Sequence, residues 1–139
     1  MSVMCNDACR CRGQGERQIE LGIEQIQKGI CCIKKGLDAI AKCNTRCGED
    51  LIRGGLICIQ KGLCNVKNGV NDIPKHCNRC EIKQILCGVD KICRAIQCLV
   101  SGLDDIQCGN VCCGVKKVQQ ALCDIERGLG DIICGFKNL

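Results

Sequence analysis

The chain has 139 residues, a formal net charge of +5, 19 cysteines and a single aromatic residue. This length suits one domain, whose core must be isoleucine, leucine and valine because large rings are almost absent. Basic and acidic residues alternate as on a solvated surface, and no basic cluster carries interleaved aromatic residues, so we expect no nucleic-acid partner.

The sequence lacks an export signal but has the cysteine content of a secreted protein. No apolar run reaches the ~18–20 residues that span a bilayer, so we expect no membrane span. The first residues lack the basic start and apolar stretch of a secretory signal, which indicates synthesis in the cytoplasm without export by that route. Cysteine is nevertheless as frequent as in secreted disulfide scaffolds.

Residues 1–15 show no helical period, and Gly13 and Gly15 precede the first periodic segment. The segment contains three cysteines, Cys5, Cys9 and Cys11. We predict an N-terminal cysteine-bearing arm at 1–15 and a folded domain at 16–139.

The folded domain begins with apolar residues that recur at alternating intervals of four and three. They are Ile19, Ile23, Ile26, Ile30, Ile33, Leu37 and Ile40. This 3.5-residue period indicates coiled-coil-like helix packing. Three further segments repeat it, and the predicted helices cover about 16–43, 49–74, 80–107 and 110–137. Because short connections make sequential helices antiparallel neighbours, we predict an all-α, up-down-up-down four-helix bundle.

A glycine or alanine directly precedes every second apolar residue of each helix, as at Gly22, Gly29 and Gly36. When the following apolar residues are assigned to heptad position a and the others to d, this row of small residues occupies g. Small g residues let two backbones approach closely. We therefore expect g flanks to face each other between helices one and two and between three and four, and e flanks at the other two interfaces.

The helical cysteines all fall outside positions a and d, on the flanks and the outer surface. Residues of antiparallel neighbours are level when their numbers sum to a constant, and three cysteine pairs match in both height and side. They are Cys32–Cys58, Cys64–Cys93 and Cys31–Cys123. We predict intramolecular disulfides at these pairs, each contributing about 2–4 kcal/mol.

The remaining cysteines lie at the bundle ends or on outer f positions. Because 19 is an odd number, internal pairing is incomplete. The candidates for bonds between molecules are Cys5, Cys9, Cys11, Cys87, Cys98 and Cys134. Outward thiols on a rigid bundle favour a structural subunit that polymerises with itself by contacts that propagate as a filament or lattice. The plainer alternative is a monomer whose extra cysteines pair internally.

In composition and layout, with the arm cysteines and the Cys31-Cys32 and Cys112-Cys113 pairs, the chain resembles cysteine-rich proteins of the bacterial spore surface. These are the coat, exosporium and appendage proteins. The resemblance implies synthesis without a signal peptide, then oxidation and cross-linking around the spore, with other cysteine-rich coat proteins as further partners. It would reconcile abundant disulfides with the missing export signal.

The chain also resembles cytosolic copper storage proteins, four-helix bundles with many cysteines, and soft thiolates do select Cu(I). Those proteins direct their thiols into the core, where this chain has aliphatic residues. A zinc site is a further alternative, with His76, Cys77, Cys80, Cys9 and Cys11 as its candidate ligands. We favour no metal or other cofactor. Nucleophilic cysteine catalysis needs a base held in a concave pocket, and the single histidine lies at a bundle end, so we expect no enzymatic activity.

Overall fold

A computed structural model describes the backbone of residues 2–74 and 78–139, and the side chains of 13–74 and 78–139. Its four α-helices are α1 (Ser2–Ala41), α2 (Thr45–Asn71), α3 (Arg79–Gln107) and α4 (Val111–Lys137). No strand occurs among the described residues. The predicted all-α helical bundle is confirmed.

An asparagine immediately precedes each of α2, α3 and α4, at Asn44, Asn78 and Asn110. Asparagine is favoured at this N-cap position. The carbonyl oxygens of Asn44 and Asn110 accept the backbone N–H groups of Gly48 and Gly114 at 3.0 and 2.9 Å. None of the three asparagine side chains makes a capping hydrogen bond in the structure. Helices α2 and α4 begin within a few residues of the ends of α1 and α3, which turns each pair of helices into an antiparallel hairpin.

The two hairpins, α1–α2 and α3–α4, are the tightly packed units of the bundle, while α2 contacts α3 and α1 contacts α4 more loosely. A Cβ atom built on Gly29 would lie 2.5 Å from the carbonyl oxygen of Gly55, and one built on Gly55 would lie 2.5 Å from that of Gly29. Gly102 and Gly114 make the corresponding approach between α3 and α4. The predicted facing of the g flanks is confirmed at both hairpins.

The core is aliphatic and divides by heptad position. Most of the d residues inside the hairpins are inaccessible to solvent, as at Ile26 and Ile59, both 0% exposed. The a residues, which line the looser interface between hairpins, keep slight exposure, as at Ile30 with 7% and Leu129 with 7%. The tight hairpin interface therefore buries its side chains more completely than the interface between hairpins.

The helix boundaries differ most from the sequence interpretation at the starts of α1 and α2, where glycines resemble breaks in the sequence. Helix α1 begins at Ser2 rather than near residue 16. Gly13 and Gly15 are therefore helical rather than breaks, and a Cβ on Gly15 would lie 2.7 Å from the oxygen of Gly69. Helix α2 begins at Thr45 rather than 49, and Gly48 within its first turn packs against Gly36 in the same way. The role of residues 1–15 as a cysteine-bearing arm stays a prediction, since the side chains of its three cysteines lie outside the described residues.

Candidate disulfide and cross-linking sites

The described cysteines surround the core without entering it. Of the fifteen described cysteines, eleven are exposed and four are half-buried, and all are free thiols in the structure. The half-buried ones are Cys32, Cys58, Cys93 and Cys98. This distribution follows from the heptad positions, because b and f point to solvent while c and e lie beside a neighbouring helix.

The c positions of α1 and α2 lie opposite each other along the outer edge of the first hairpin. The Nδ2 atom of Asn65 donates a hydrogen bond of 2.5 Å to Oε1 of Gln25, and both residues are c positions. Cys32 lies one heptad after Gln25 on α1, and Cys58 lies one heptad before Asn65 on α2. The Asn65–Gln25 contact therefore shows that c residues in this register meet across the hairpin.

Cys32 and Cys58 line one groove together with Cys31, and the basic residues Lys28 and Lys35 stand beside them. The Cβ atom of Cys32 lies 3.2 Å from the place where a Cβ on Gly55 would stand, so this cysteine rests directly on the α2 backbone. The structure thus brings both members of the predicted pair into one groove. Their bond stays a prediction.

The second hairpin repeats the c-to-c register with ion pairs. Lys91 Nζ lies 2.6 Å from Asp131 Oδ2, and Lys117 Nζ lies 2.7 Å from Asp105 Oδ2. The hydrogen bond from Lys91 to Asp131, reinforced by the attraction between their charges, raises the pKa of Lys91. The hydrogen bond to Asp105 raises that of Lys117 in the same way. Four of the seven c residues within α3 and α4 are thus held in salt bridges across the hairpin.

Cys98 and Asp124 occupy in the second hairpin the register that Cys32 and Cys58 occupy in the first, and both line one groove. The thiol of Cys98 donates a hydrogen bond of 3.4 Å to the carbonyl oxygen of Lys117. Cys98 is therefore half-buried against α4 and less accessible than the outer-surface position predicted for it. Cys87 and Cys134, the other two helical candidates for bonds between molecules, are exposed.

Cys64 on α2 and Cys93 on α3 occupy b and e positions of the looser interface between hairpins. One heptad away, Ile57 and Val100 hold the same two positions and line a common groove. Cys64 is exposed, and Cys93 is half-buried and packs against the hydrophobic core. The register of Ile57 and Val100 supports the predicted alignment of Cys64 with Cys93.

Cys31 and Cys123 stand beside the contact between α1 and α4. Lys34 Nζ lies 3.7 Å from Glu126 Oε2, and both of these residues are e positions, as predicted for this interface. Each cysteine precedes its charged neighbour by three residues, one helical turn away on the solvent side. Both cysteines are exposed, and their bond stays a prediction.

Five exposed cysteines collect at the end of the bundle where both hairpins turn. They are Cys43, Cys47, Cys108, Cys112 and Cys113. Cys43 has a φ of 66°, and the corresponding residue in the α3–α4 turn is Gly109, with a φ of 97°. Left-handed backbone normally favours glycine. The left-handed conformation of Cys43 was therefore not predicted from the sequence.

At the opposite end the structure describes fewer of the predicted residues. Cys80 in the first turn of α3 is exposed. The other candidate zinc ligands, His76, Cys77 and the side chains of Cys9 and Cys11, lie outside the described residues. Within the described part of the chain, no three histidine, cysteine or acidic side chains are grouped as a metal site requires.

Comparison of the chain with protein families, curated proteins and solved structures found no match. Among the described residues, no helix combines the length and the apolar character needed to cross a membrane. A functional interpretation therefore depends on the arrangement of the thiols and on the surfaces that surround them.

Proposed function

We propose that this protein is a structural subunit that assembles with copies of itself and is cross-linked by disulfides into a filament or lattice, such as a spore surface layer or appendage. One observation carries the proposal: the described thiols surround a wholly aliphatic core, and none of them is buried. Free cysteine ordinarily ranks among the most buried residue types. Placing it consistently outside suggests that the thiols serve contacts beyond the core.

Accessible thiols are what cross-linking chemistry requires. A disulfide forms when two thiols release two protons and two electrons, which molecular oxygen or a small disulfide accepts. Exchange proceeds through attack by a thiolate on an accessible sulfur. Cys87 and Cys134 meet this requirement on the outer surfaces of α3 and α4. Other cysteine-rich proteins of the same layer would be chemically equivalent partners.

The rigid hairpins give such a subunit a fixed shape. Backbone contact at the glycine rows holds each pair of helices in one register, and the predicted Cys32–Cys58, Cys64–Cys93 and Cys31–Cys123 bonds would staple the bundle. The cysteines at the hairpin turns and those at the opposite end then suit links from one molecule to the next. A contact between two different surfaces propagates as a filament when its rotation does not close a ring.

Copper storage, the alternative function, is disfavoured by the direction of the thiols. The copper storage bundles that the chain resembles hold their cysteines inside, whereas eleven of the fifteen described cysteines here are exposed and the other four are half-buried on the flanks. In the described part of the bundle, the core side chains at a and d are apolar and offer Cu(I) no ligand.

The proposal is tested by electron microscopy and non-reducing gels of the purified full chain, before and after oxidation by a small disulfide. We expect oxidation to produce a ladder of multimers and ordered assemblies that reductant disperses. Replacing Cys87 and Cys134 by serine is expected to shorten the ladder. Replacing Cys32 and Cys58 by serine is the matched control, because their predicted bond lies within one molecule. A compact monomer in both conditions, with every thiol titratable, would contradict the proposal.

A further inference from the structure

The two sides on which the hairpins meet differ in polarity. Four large apolar side chains are substantially exposed in the described structure: Leu21 at 47%, Ile57 at 52%, Leu86 at 43% and Val100 at 40%. Ile57, Leu86 and Val100 all lie at b or e positions along the junction of α2 and α3. The junction of α1 and α4 instead carries the ion pair of Lys34 with Glu126. The exposed apolar surface is therefore concentrated on one side of the bundle, which we call the α2–α3 face.

Ile57 and Val100 form the walls of a groove on the α2–α3 face. The groove is also lined by Leu56 and Leu103 from position a, and by Arg53 and Asp104. Helices α2 and α3 are antiparallel, so Arg53 is level with Asp104, and Ile57 is level with Val100. At each level the two residues stand on opposite helices. The groove thus has an apolar level and, one turn away, a level with one positive and one negative charge.

We propose that this face binds the same face of a second copy, related by a two-fold axis parallel to the helices. Such an axis sets α2 of each molecule against α3 of the other, and every residue keeps its height along the helix axis. Ile57 then meets Val100 of the second copy, and Arg53 meets Asp104 of the second copy, each contact occurring twice. An interface of this kind is self-complementary, as two-fold symmetry requires.

The charges select this arrangement over the other way of pairing the face. A two-fold axis perpendicular to the helices would set α2 against α2 and α3 against α3. Arg53 would then not lie opposite Asp104 of the second copy. Arg53 is already oriented on this face: it lies 3.3 Å from Gln107 Oε1 and 3.9 Å from Glu49 Oε2. Asp104 is exposed. The pairing covers apolar surface and opposes unlike charges at the rim, which is how specific interfaces are built.

This inference rests on the proposed self-assembly, and it adds the partner surface and its symmetry. The paired molecules would lie side by side, parallel, with both hairpin-turn ends at the same end of the dimer. Contact through the α2–α3 face needs no disulfide. It would precede oxidation and leave the outer cysteines Cys87 and Cys134 available to link one dimer to the next.

The test is sedimentation equilibrium of the full chain in excess reductant, where disulfides cannot hold copies together. We expect a reversible dimer. The double variant Ile57→Glu with Val100→Glu is expected to raise the dimer dissociation constant more than about tenfold, because it places four carboxylates in the contact. Leu21→Glu makes the same kind of change at an equally exposed apolar residue on α1 and is expected to leave the dissociation constant unchanged. Circular dichroism checks that each variant keeps its helices.

Charge reversal supplies a second measurement that does not depend on the apolar residues. Arg53→Glu and Asp104→Arg are each expected to weaken the dimer, and the two together are expected to restore it. A wild-type chain that stays monomeric at all concentrations, equal weakening by Leu21→Glu, or a failure of the double charge reversal to restore the dimer would overturn the interface.

The outcomes also separate this interface from the proposed function. Multimers that form on oxidation of a chain that is monomeric in reductant would contradict the interface alone. A dimer in reductant that never yields disulfide-linked multimers would support the interface and contradict cross-linking.

Discussion

The amide Nδ2 of Asn65 lies 2.5 Å from Oε1 of Gln25, so that α2 is joined to α1 one heptad away from Cys58 and Cys32. We expect the oxidised protein to contain the Cys32–Cys58 disulfide in this same register. Cys58→Ser is then expected to lower the free energy of unfolding of the oxidised protein by about 2–4 kcal/mol, because a disulfide restricts the unfolded chain. In reductant the variant and the wild type should be nearly equal. Non-reducing peptide mapping and denaturant unfolding measure the bond and its effect.

The α3–α4 hairpin offers a matched gain-of-bond variant. Asp124 stands opposite Cys98 where the first hairpin has Cys58 opposite Cys32, so Asp124→Cys is expected to create a second disulfide in the same geometry. Its appearance in the peptide map would show that the register, rather than the identity of the hairpin, determines the bond. Free thiols at both pairs after complete oxidation would contradict the prediction.

The glycine rows should be sensitive to a single methyl group. A Cβ atom on Gly62 would lie 2.5 Å from the carbonyl oxygen of Gly22, whereas Gly54, also on α2, has nothing within 4 Å. Gly62→Ala is expected to destabilise the protein by about 1–3 kcal/mol through overpacking. Gly54→Ala is expected to stabilise it by about 0.8–1 kcal/mol, the gain in helix propensity. Denaturant unfolding in reductant compares the two, and a stabilising Gly62→Ala would show that the backbones are not in contact.

The sequence was sufficient to predict the helices and the sides on which they meet, because both depend on a heptad that runs through all four helices. The e-to-e contact of Lys34 with Glu126 and the facing glycines Gly29 and Gly55 lie where the heptad predicts them. The same frame predicted which cysteines are outside the core. The helix positions, their facing sides and the placement of the cysteines all depend on hydrophobic periodicity, which can be read directly from a sequence.

Features that depend on tertiary contact or on turn geometry were not predicted. Gly15 and Gly48 resemble helix breakers locally, yet both are helical in the structure and pack against Gly69 and Gly36 of the neighbouring helix. The half-burial of Cys98 depends on a carbonyl of α4. The apolar α2–α3 face emerges only when b and e residues of two helices are placed side by side.

Cys43 is expected to destabilise the fold, because its φ of 66° is a left-handed conformation that costs most residues energy. Cys43→Gly should raise the free energy of unfolding in reductant by about 0.5–1 kcal/mol, the relief of strain less the entropy gained by the unfolded chain. Gly109→Ala, at the corresponding residue of the other turn, should lower it. Cys47→Ala controls for loss of a thiol at the same end and should have little effect. Equal stabilities for Cys43→Gly and the wild type would show that the turn relaxes without strain.

The ion pair of Lys34 with Glu126 and the predicted Cys31–Cys123 disulfide join the same two helices with very different strengths. Both charged side chains are about half exposed, at 56% and 48%, so a double-mutant cycle with alanine should give a coupling below about 1 kcal/mol that weakens in high salt. Cys123→Ser should lower the free energy of unfolding of the oxidised protein by about 2–4 kcal/mol and leave the reduced protein unchanged. Denaturant unfolding in both redox states measures the two effects. A Cys123→Ser variant as stable as the wild type after oxidation would leave the ion pair as the polar link between α1 and α4 and would contradict the disulfide.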